Sequence, residues 1–589
     1  MTSYRAPVTD MQFVLNKLAG LPDLSKLPGL EDTSEYIVTS VLEEAGRFAA
    51  DVLAPLNRRG DLEGAGFKEK AVISTPGFAA AYQGFVEGGW QTLPFSPALG
   101  GQGLPEVVAV AVNEIWQSAN MSFALCPLLT EGAIVALNAH ADDELQQKYM
   151  PKMISGEWTG TMNLTESQAG SDLAAVKTRA VPEGDHYRIT GQKIFITWGD
   201  HDFADNIIHM VLARTPDAPP GIKGISLFLV PKFVLNEDGS PGERNDVYPV
   251  SIEHKLGIHA SPTCVMSYGD NGGAIGYLVG DLHDGIGCMF TMMNHARIAV
   301  GIQGLSISER AWQQAAQYAT EREQGQAPGK KDRATLIDHA DVRRMLLLMK
   351  AGIEAMRAII YTTTVALDYL HHATDAELKQ SCTERFALLT PVVKGWSTEL
   401  AQELTYLGVQ VHGGMGFIEE TGAAQHYRDA RIVTIYEGTT GIQAQDLVGR
   451  KIIRDNGKAV TDLITEMRAV QTSLQAKPEA LQVIAANLAA AIDDLEAATR
   501  WLLDNHEQDS YAAGSSAVNF LMLMGTVCGG WQMARAAAIA AAEDTAFNRN
   551  KLITARFYAE HFLPRTKGYL GMITAGSESI MALKADQFL

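Results

Sequence analysis

Three short segments hold residues whose types and spacing could do chemistry. In the last of them, Arg431-Ile-Val-Thr-Ile-Tyr-Glu437-Gly-Thr439-Thr-Gly-Ile442, a carboxylate stands between an apolar stretch and a Gly-Thr turn. Burial there would raise its pKa and make it a competent base near neutrality; a solvated loop glutamate is the plainer alternative. The first segment, Asn163-Leu-Thr-Glu-Ser-Gln-Ala-Gly-Ser-Asp-Leu173, is dense in glycine and small hydroxyl residues where helix gives way to strand. Backbone N–H groups and hydroxyls at such a junction satisfy the polar edge of a flat heterocycle and a phosphate, although a polar turn reads the same. Between the two, Gly191-Gln-Lys-Ile-Phe-Ile-Thr197-Trp198-Gly199 puts a hydroxyl after aromatic and aliphatic residues at a strand end. That suits a planar ring packed on a sheet with one hydrogen bond, and equally an ordinary strand terminus.

Taken in this order, the three segments resemble the acyl-CoA dehydrogenase family. Further matches are Gly408-Val-Gln410-Val-His-Gly-Gly414-Met-Gly-Phe417, Asn294-His-Ala-Arg297, and Arg322 in Thr320-Glu-Arg-Glu. The resemblance covers roughly residues 40–450. It implies a flavoenzyme that uses FAD to remove an alpha proton and a beta hydride from an acyl-CoA, with Glu437 as the base. Leu164 and Thr165 look like the residues at the pyrimidine edge of the flavin. Gly170 and Ser171 look like those beside the diphosphate, with Ser171 also touching the acyl-CoA, and Phe195 and Thr197 resemble those at the ring, Thr197 at N5. Arg322, Gln410 and Gly414 match positions that bind the adenosine diphosphate of an FAD held mainly by a neighbouring subunit, and Thr439 matches one more cofactor contact. Gly438 and Arg297 join Ser171 and Glu437 on the substrate side. A site completed across subunits implies a homo-oligomer, expected here as a homodimer, with electron-transfer flavoprotein as the electron acceptor.

Some positions depart from the family's pattern. The family often has Trp where this chain has Phe195, and Trp198 stands on the far side of Thr197. Many members have Gln or Glu where this chain has Gly441, so that side chain's adenine contact is not expected here. Some members place the base beside the arginine matched by Arg297; Ala296 stands there and cannot act, so Glu437 is the candidate at either location. A buried arginine after a helix start is as often structural as catalytic, and Arg297 is expected to position the loop carrying Glu437 or to serve packing.

The length beyond residue 450, Gly239-Ser-Pro-Gly-Glu-Arg-Asn245 and Ser251-Ile-Glu-His-Lys-Leu-Gly257 resemble the large bacterial branch of the family. That branch includes dehydrogenases of 3-(methylthio)propanoyl-CoA, a short thioether acyl-CoA of dimethylsulfoniopropionate degradation, and this substrate is the expectation. It rests on analogy within a family, because sulfur and methylene fill similar volume. Alternatives are a general short- or medium-chain acyl-CoA dehydrogenase of fatty-acid oxidation, and an acyl-CoA oxidase that passes electrons to dioxygen and releases peroxide in air. From other classes come a silent flavoprotein scaffold, whose FAD no acyl-CoA would reduce, and a cofactor-free binding protein.

The elements that must position these residues follow from periodicity. Apolar positions recur every three or four residues over Tyr36–Leu56 and Val107–Trp116, around a loop at Leu99-Gly-Gly-Gln-Gly103, so an N-terminal helical domain is expected over 1–159. Over 160–287 the runs His186–Thr197, with a turn at Gly191, Asn206–Arg214, Gly224–Val230 and Thr263–Tyr268 read as strands of an antiparallel barrel or sandwich. Helical spacing returns near 292–323, 338–371 and 380–411, a C-terminal bundle over 288–456. An alanine-rich helical domain over 457–589, with a break at Gly514-Ser-Ser516, completes an α+β multidomain chain.

With 589 residues, two to four domains are expected. A net charge of −20 repels nucleic acid, while leaving room for a locally gathered basic site for an anion. Five scattered cysteines (Cys126, Cys264, Cys288, Cys382, Cys528) form no metal or disulfide pattern, and His371-His372 and His412 show no ligand spacing, so no metal is expected. No secretory signal opens the sequence, and the apolar run Leu521–Trp531 continues into Gln532 and Arg535, which argues against a membrane span. A cytoplasmic protein is the expectation.

Overall fold

A computed structural model describes residues 4–475 and 477–589. The chain packs as two compact units, one made of Glu44–Pro105 and Ile115–Ala299, the other of the residues up to Glu43, Glu106–Glu114 and Val300–Leu589.

An eight-stranded sheet dominates the first unit. Its strands are β1 (Trp158–Asn163), β2 (Arg179–Glu183), β3 (His186–Thr197), β4 (Asn206–Ala213), β5 (Ser226–Pro231), β6 (Val247–Ile252), β7 (Thr263–Tyr268) and β8 (Ala274–Val279). The order is β6-β7-β3-β8-β5-β4-β1, with β2 also paired to β3. β1, β4 and β5 are buried along their whole length, which is why Asn206–Ala213 reads as a nearly continuous apolar run and not an alternation. One core forms where Leu137, Tyr149, Met153, Trp158, Met210 and Leu227 meet. A second gathers Ile189, Val211, Phe228, Val230 and Met266. Leu137 belongs to α3 (Glu106–His140, after α1, Val8–Phe13, and α2, Glu35–Phe48) and Tyr149 to α4 (Asp143–Ser155). The Asp142 carboxylate caps α4 by accepting from Leu145 N at 2.8 Å, and Gly156, at φ +84°, ends it.

The sheet corrects two expectations. β1 and β4 run parallel, in register Trp158↔Asn206, so the sheet is not wholly antiparallel. No turn interrupts β3 at Gly191. Residues 186–190 pair with β2, residues 187–189 also with β8, and residues 191–197 with β7. Gly191 sits where the partners change, at φ +153°, and a Cβ there would lie 2.6 Å from Thr178 Oγ1. Glycine marks a close approach of backbone, not a reversal.

The second unit is helical. The part of α5 (Gly285–Glu321) from Val300 on, α6 (Ala340–His372) and α7 (Ala376–His412) form the bundle, and the short α8 (Thr440–Gln445) follows. Beyond them α9 (Lys458–Gln475), α10 (Glu479–Asn505), α11 (Ala512–Ala540) and α12 (Ala546–His561) continue it. α11 packs against α6, α7, α10 and α12, which explains why it is apolar on all faces. Its glycines are close-contact positions: a Cβ on Gly525 would fall 2.1 Å from Trp396 Cγ, and one on Gly530 2.4 Å from Leu563 Cδ2. The break expected at Gly514-Ser-Ser516 is a correction too. α11 starts at Ala512 and runs through it, and the chain interrupts earlier, between Asn505 and Ala512.

Residues Ala512–Ala540 and Glu106–His140 are long and apolar enough to cross a membrane, so the polar residues after Trp531 do not exclude a span by composition. Their apolar windows are 67% and 94% buried within the protein, as interior helices of a large fold are. A buried ionic cluster ties the helices of this unit together. Arg357, 1% exposed, donates to Glu114 (2.6 Å), Asp10 (2.5 Å) and Glu309 (2.9 Å), and Lys551 donates to Glu354 at 2.8 Å and to Asp10. Removing one partner of such a cluster strands a charge, at a cost of about 3–5 kcal/mol.

Candidate active site

In the sheet unit, Leu164, Thr165, Phe195 and Thr197 come together because the loop after β1 is fastened to β3. Ile194 N donates to Thr165 O at 2.9 Å, and Lys193 Nζ donates to Leu164 O at 2.9 Å. Thr161 Oγ1 donates to Thr197 O at 2.7 Å. The loop itself folds around Glu166. Its carboxylate accepts from Lys177 N (2.8 Å), Thr178 N (3.1 Å), Thr178 Oγ1 (2.6 Å), Gln168 Nε2 (2.6 Å) and Lys193 Nζ (2.8 Å). Burial works to raise the Glu166 carboxyl, but Lys193 and the hydrogen bonds win and hold it at about 2. Burial likewise brings the Lys193 amine down to about 8.

With its acid turned inward, the loop leaves Ser167, Gln168, Gly170 and Ser171 exposed. Opposite β7 the ladder slips by one residue between Lys193 and Ile196, a bulge that brings Phe195 out to 59% exposure at φ +60°. Bulges re-aim side chains in this way. Arg297 lies buried on α5, donating to Asn294 Oδ1 at 3.3 Å with its guanidinium 5.9 Å from the Phe290 ring centre.

In the helical unit, Glu437, Gly438 and Thr439 form one turn ahead of α8. Glu437 takes the left-handed conformation at φ +56° and Gly438 follows at +91°. A non-glycine residue held there stores strain that the surroundings must impose. Two side chains impose it. Gln443 Nε2 donates to Glu437 O at 3.2 Å, and Lys394 Nζ, on α7 and fully buried, donates to Gly438 O at 2.6 Å. Thr439 Oγ1 caps α8 by accepting from Ile442 N at 3.3 Å. Below the turn, the buried Tyr436 hydroxyl donates to Gln303 Oε1; burial, then the charge of Glu437, keep that phenol protonated well above its usual range. Pinning both carbonyls fixes the peptide planes, so the neighbouring N–H groups and the Cα–Cβ bond of Glu437 have set directions.

Arg322, Gln410 and Gly414 sit at adjoining helix ends. The rings of Tyr318, one turn before Arg322, and His412, two residues after Gln410, stack at 4.5 Å and join the end of α5 to the end of α7. All three residues are exposed, together with Met415 and Phe417, the latter at 86%.

Sequence reasoning passed over Glu166, Lys193, Lys394 and Gln443 as site residues. Two of them leave a signal. Lys193 occupies the inward parity of β3 shared by Ile189, and Lys394 interrupts the apolar run Pro391-Val-Val-Lys-Gly-Trp396. A lysine at a core position needs a partner, and here the partner is the backbone or acid of a functional loop.

Known proteins bear on the whole chain. Sequence models of the acyl-CoA dehydrogenase N-terminal, middle and C-terminal domains match residues 39–157, 161–270 and 283–452, and an acetyl-CoA dehydrogenase C-terminal-like model matches 463–584. The chain is 46% identical to a 3-methylmercaptopropionyl-CoA dehydrogenase of Ruegeria pomeroyi over 98% of its own length and 99% of that protein. This chain belongs to the acyl-CoA dehydrogenase family. A broad-specificity linear acyl-CoA dehydrogenase of Mycobacterium tuberculosis is 35% identical over the full length of both. Among solved structures, Caenorhabditis elegans ACDH-11 in complex with C11-CoA superimposes with a TM-score of 0.78 at 21% identity, over 99% of this chain and 96% of that one. An acyl-CoA dehydrogenase from Bacillus anthracis complexed with FAD gives 0.75 at 20% identity, over 95% of this chain and 91% of that one. These two show the shared fold.

An acyl-CoA dehydrogenase is an oxidoreductase that dehydrogenates acyl-CoA with FAD, and the residues present fit that cofactor. The Leu164–Ser171 loop turns its one acid inward, and an added Cβ on Gly170 would meet nothing within 4 Å, so a diphosphate can approach backbone there. Phe195 offers an exposed aromatic face two residues before Thr197 in β3. In the helical unit Gly413 and Gly414 are equally open, and Arg322 pairs with no carboxylate among the described residues.

Proposed function

We propose that this enzyme dehydrogenates 3-(methylthio)propanoyl-CoA to the enoyl-CoA, with Glu437 as the base. The observation that carries the substrate is the 46% identity, end to end, to a 3-methylmercaptopropionyl-CoA dehydrogenase. The observation that supports the base is the strained turn: a glutamate locked at φ +56° by Lys394 and Gln443.

Glu437 takes the alpha proton onto its carboxylate, and the electron pair of that C–H bond becomes the new carbon–carbon π bond as the beta hydrogen leaves with its pair. FAD, when bound, supplies the acceptor for that hydride at flavin N5. Leu164, Thr165, Gly170, Ser171, Phe195 and Thr197 would hold the flavin and its diphosphate, Arg322, Gln410 and Gly414 would hold the adenosine diphosphate of an FAD bound mainly by the partner subunit, and Thr439 would add one more cofactor contact. Gly438, Ser171 and Arg297 serve the acyl-CoA. The thioester oxygen gains charge as the proton leaves, and each aimed donor contributes about 3 kcal/mol to that step; the fixed peptide planes of the Glu437–Thr439 turn suit that task.

We assign the protein to dimethylsulfoniopropionate degradation in the cytoplasm, as a homodimer that passes electrons to an electron-transfer flavoprotein. The exposed apolar surface at Met415 and Phe417 and the five unpaired, buried cysteines support this reading. A second reading, a short linear acyl-CoA, draws on full-length butyryl-CoA dehydrogenase of Syntrophomonas wolfei at 34% identity.

The test is anaerobic bleaching of the enzyme's flavin by butanoyl-, hexanoyl- and 3-(methylthio)propanoyl-CoA. The proposal expects the methylthio compound to give the highest bleaching rate per substrate concentration. A butanoyl-CoA rate ten times higher would assign the second reading.

A further inference from the structure

A cavity of about 280 Å³ lies in the helical unit, where α6, α7 and α11 meet the residues after α1. Much of its wall is apolar, from Leu18, Val365, Ala366, Tyr369, Leu378 and Leu389. None of these residues belongs to the site already described, and the lining comes from segments the proposed reaction does not use.

Thr362, Ser381, Arg385 and Gln532 also reach the lining, and two further polar groups, on Trp531 and Arg535, stand out. The Trp531 indole N–H is buried, in a residue only 4% exposed, and has no hydrogen-bond acceptor. A buried donor without an acceptor is destabilising, so a ligand that supplies one is favoured there. One helical turn on, the Arg535 guanidinium faces the Trp531 ring at 5.6 Å. It donates to Gln532 Oε1 (2.8 Å) and Leu18 O (3.0 Å), both neutral acceptors. No carboxylate pairs with Arg535 among the described residues, although Arg385, which also lines the cavity, pairs with Glu466. Burial, and then the like charge of Arg385, work against the Arg535 cation, and the Glu466 carboxylate that pairs with Arg385 offsets part of this. In a chain of net charge −20 this is a local surplus of cation at an apolar hole.

We propose that this cavity is a binding site for a small amphipathic carboxylate. The two carboxylate oxygens take the Arg535 fork and the Trp531 N–H, and the hydrocarbon body lies along the Leu18–Leu389 wall. A guanidinium offers five N–H donors and has spent two on neutral acceptors, so it has the capacity. The pair of donors carries one uncompensated positive charge, which matches a monoanion; a phosphate dianion would remain half neutralised in an apolar setting. A volume of about 280 Å³ is near the small end for ligand pockets, which suits a medium-length chain such as octanoate rather than a coenzyme.

The experiment is isothermal titration calorimetry of octanoate into the FAD-loaded enzyme, with octan-1-ol and inorganic phosphate as comparison probes. Wild type should bind octanoate saturably at one site per chain, with octan-1-ol and phosphate each at least about tenfold weaker. Arg535→Met keeps the volume and removes the charge, and should weaken octanoate at least about tenfold. Trp531→Phe keeps the ring and removes the N–H, and should weaken it about threefold or more. Both variants should retain bound flavin and acyl-CoA turnover, which shows that they are folded and that the loss is not at the active site. Octanoate binding unchanged in both variants, or octan-1-ol or phosphate binding as tightly as octanoate, would overturn the proposal, as would no saturable octanoate heat up to about 1 mM.

Discussion

The Leu164–Ser171 loop and the Glu437–Thr439 turn are both irregular backbone held in place by buried side chains, and they are held in opposite senses. Under the loop the organising group is an acceptor. Glu166 collects two backbone N–H groups, a hydroxyl, an amide and an ammonium, and its charge is cancelled by Lys193. Under the turn the organising groups are donors, Lys394 and Gln443, which collect two backbone carbonyls. The loop thus shows its outer face backbone and hydroxyls with no net charge, as a surface for an anionic cofactor requires. The turn shows a carboxylate above a buried cation. Each buried group complements what its segment presents, and its charge is set by that segment's chemistry.

Breaking one anchor should therefore affect one function and spare the other. Lys193→Met leaves Glu166 as a buried unpaired carboxylate and costs about 3–5 kcal/mol; thermal unfolding should fall sharply and purified protein should lose FAD. Intact FAD content would show that the loop does not depend on the ion pair. Lys394→Met frees the Gly438 carbonyl, and turnover should fall about 10–100-fold through kcat while FAD content stays whole, since supporting-shell losses are of that order. A fall in FAD content with unchanged kcat would reverse the two assignments. Gly438→Ala forces a side chain into φ +91°, with its Cβ 2.6 Å from Gln443 Nε2. It should cost about 1–2 kcal/mol, read as a lower melting temperature and slower turnover.

Acid offers the gentlest probe of the loop. The folded Glu166 carboxyl, at about 2, lies below its ordinary 4.5, so its stabilisation is complete above that ordinary value and drains as pH falls toward 2. At pH 4 about 1 kcal/mol is already gone, and FAD release followed by flavin fluorescence should begin there. Glu166→Gln should flatten that pH dependence.

The element order and the segments of the candidate site were legible because helix and strand periods differ and because the motif residues lie close together in sequence. The anchors were less so. Lys193 and Glu166 are 27 residues apart, and Lys394 and Gly438 are 44 apart, so nothing local pairs them. Gly191 and Gly514 misled for related reasons. Both were read as breaks, whereas Gly191 admits a close neighbour inside a strand and Gly514 sits within the first turn of a helix. β1 was hidden because burial on both faces removes the alternation that marks a strand.

If Glu437 is the base, rapid anaerobic mixing of the Glu437→Gln enzyme with its acyl-CoA will expose its loss. The variant should hold FAD and bind acyl-CoA while its flavin bleaches at least about 100-fold more slowly than in wild type, the loss expected of a missing general base. Bleaching within about tenfold of the wild-type rate, a difference of only ~1.4 kcal/mol, would contradict it.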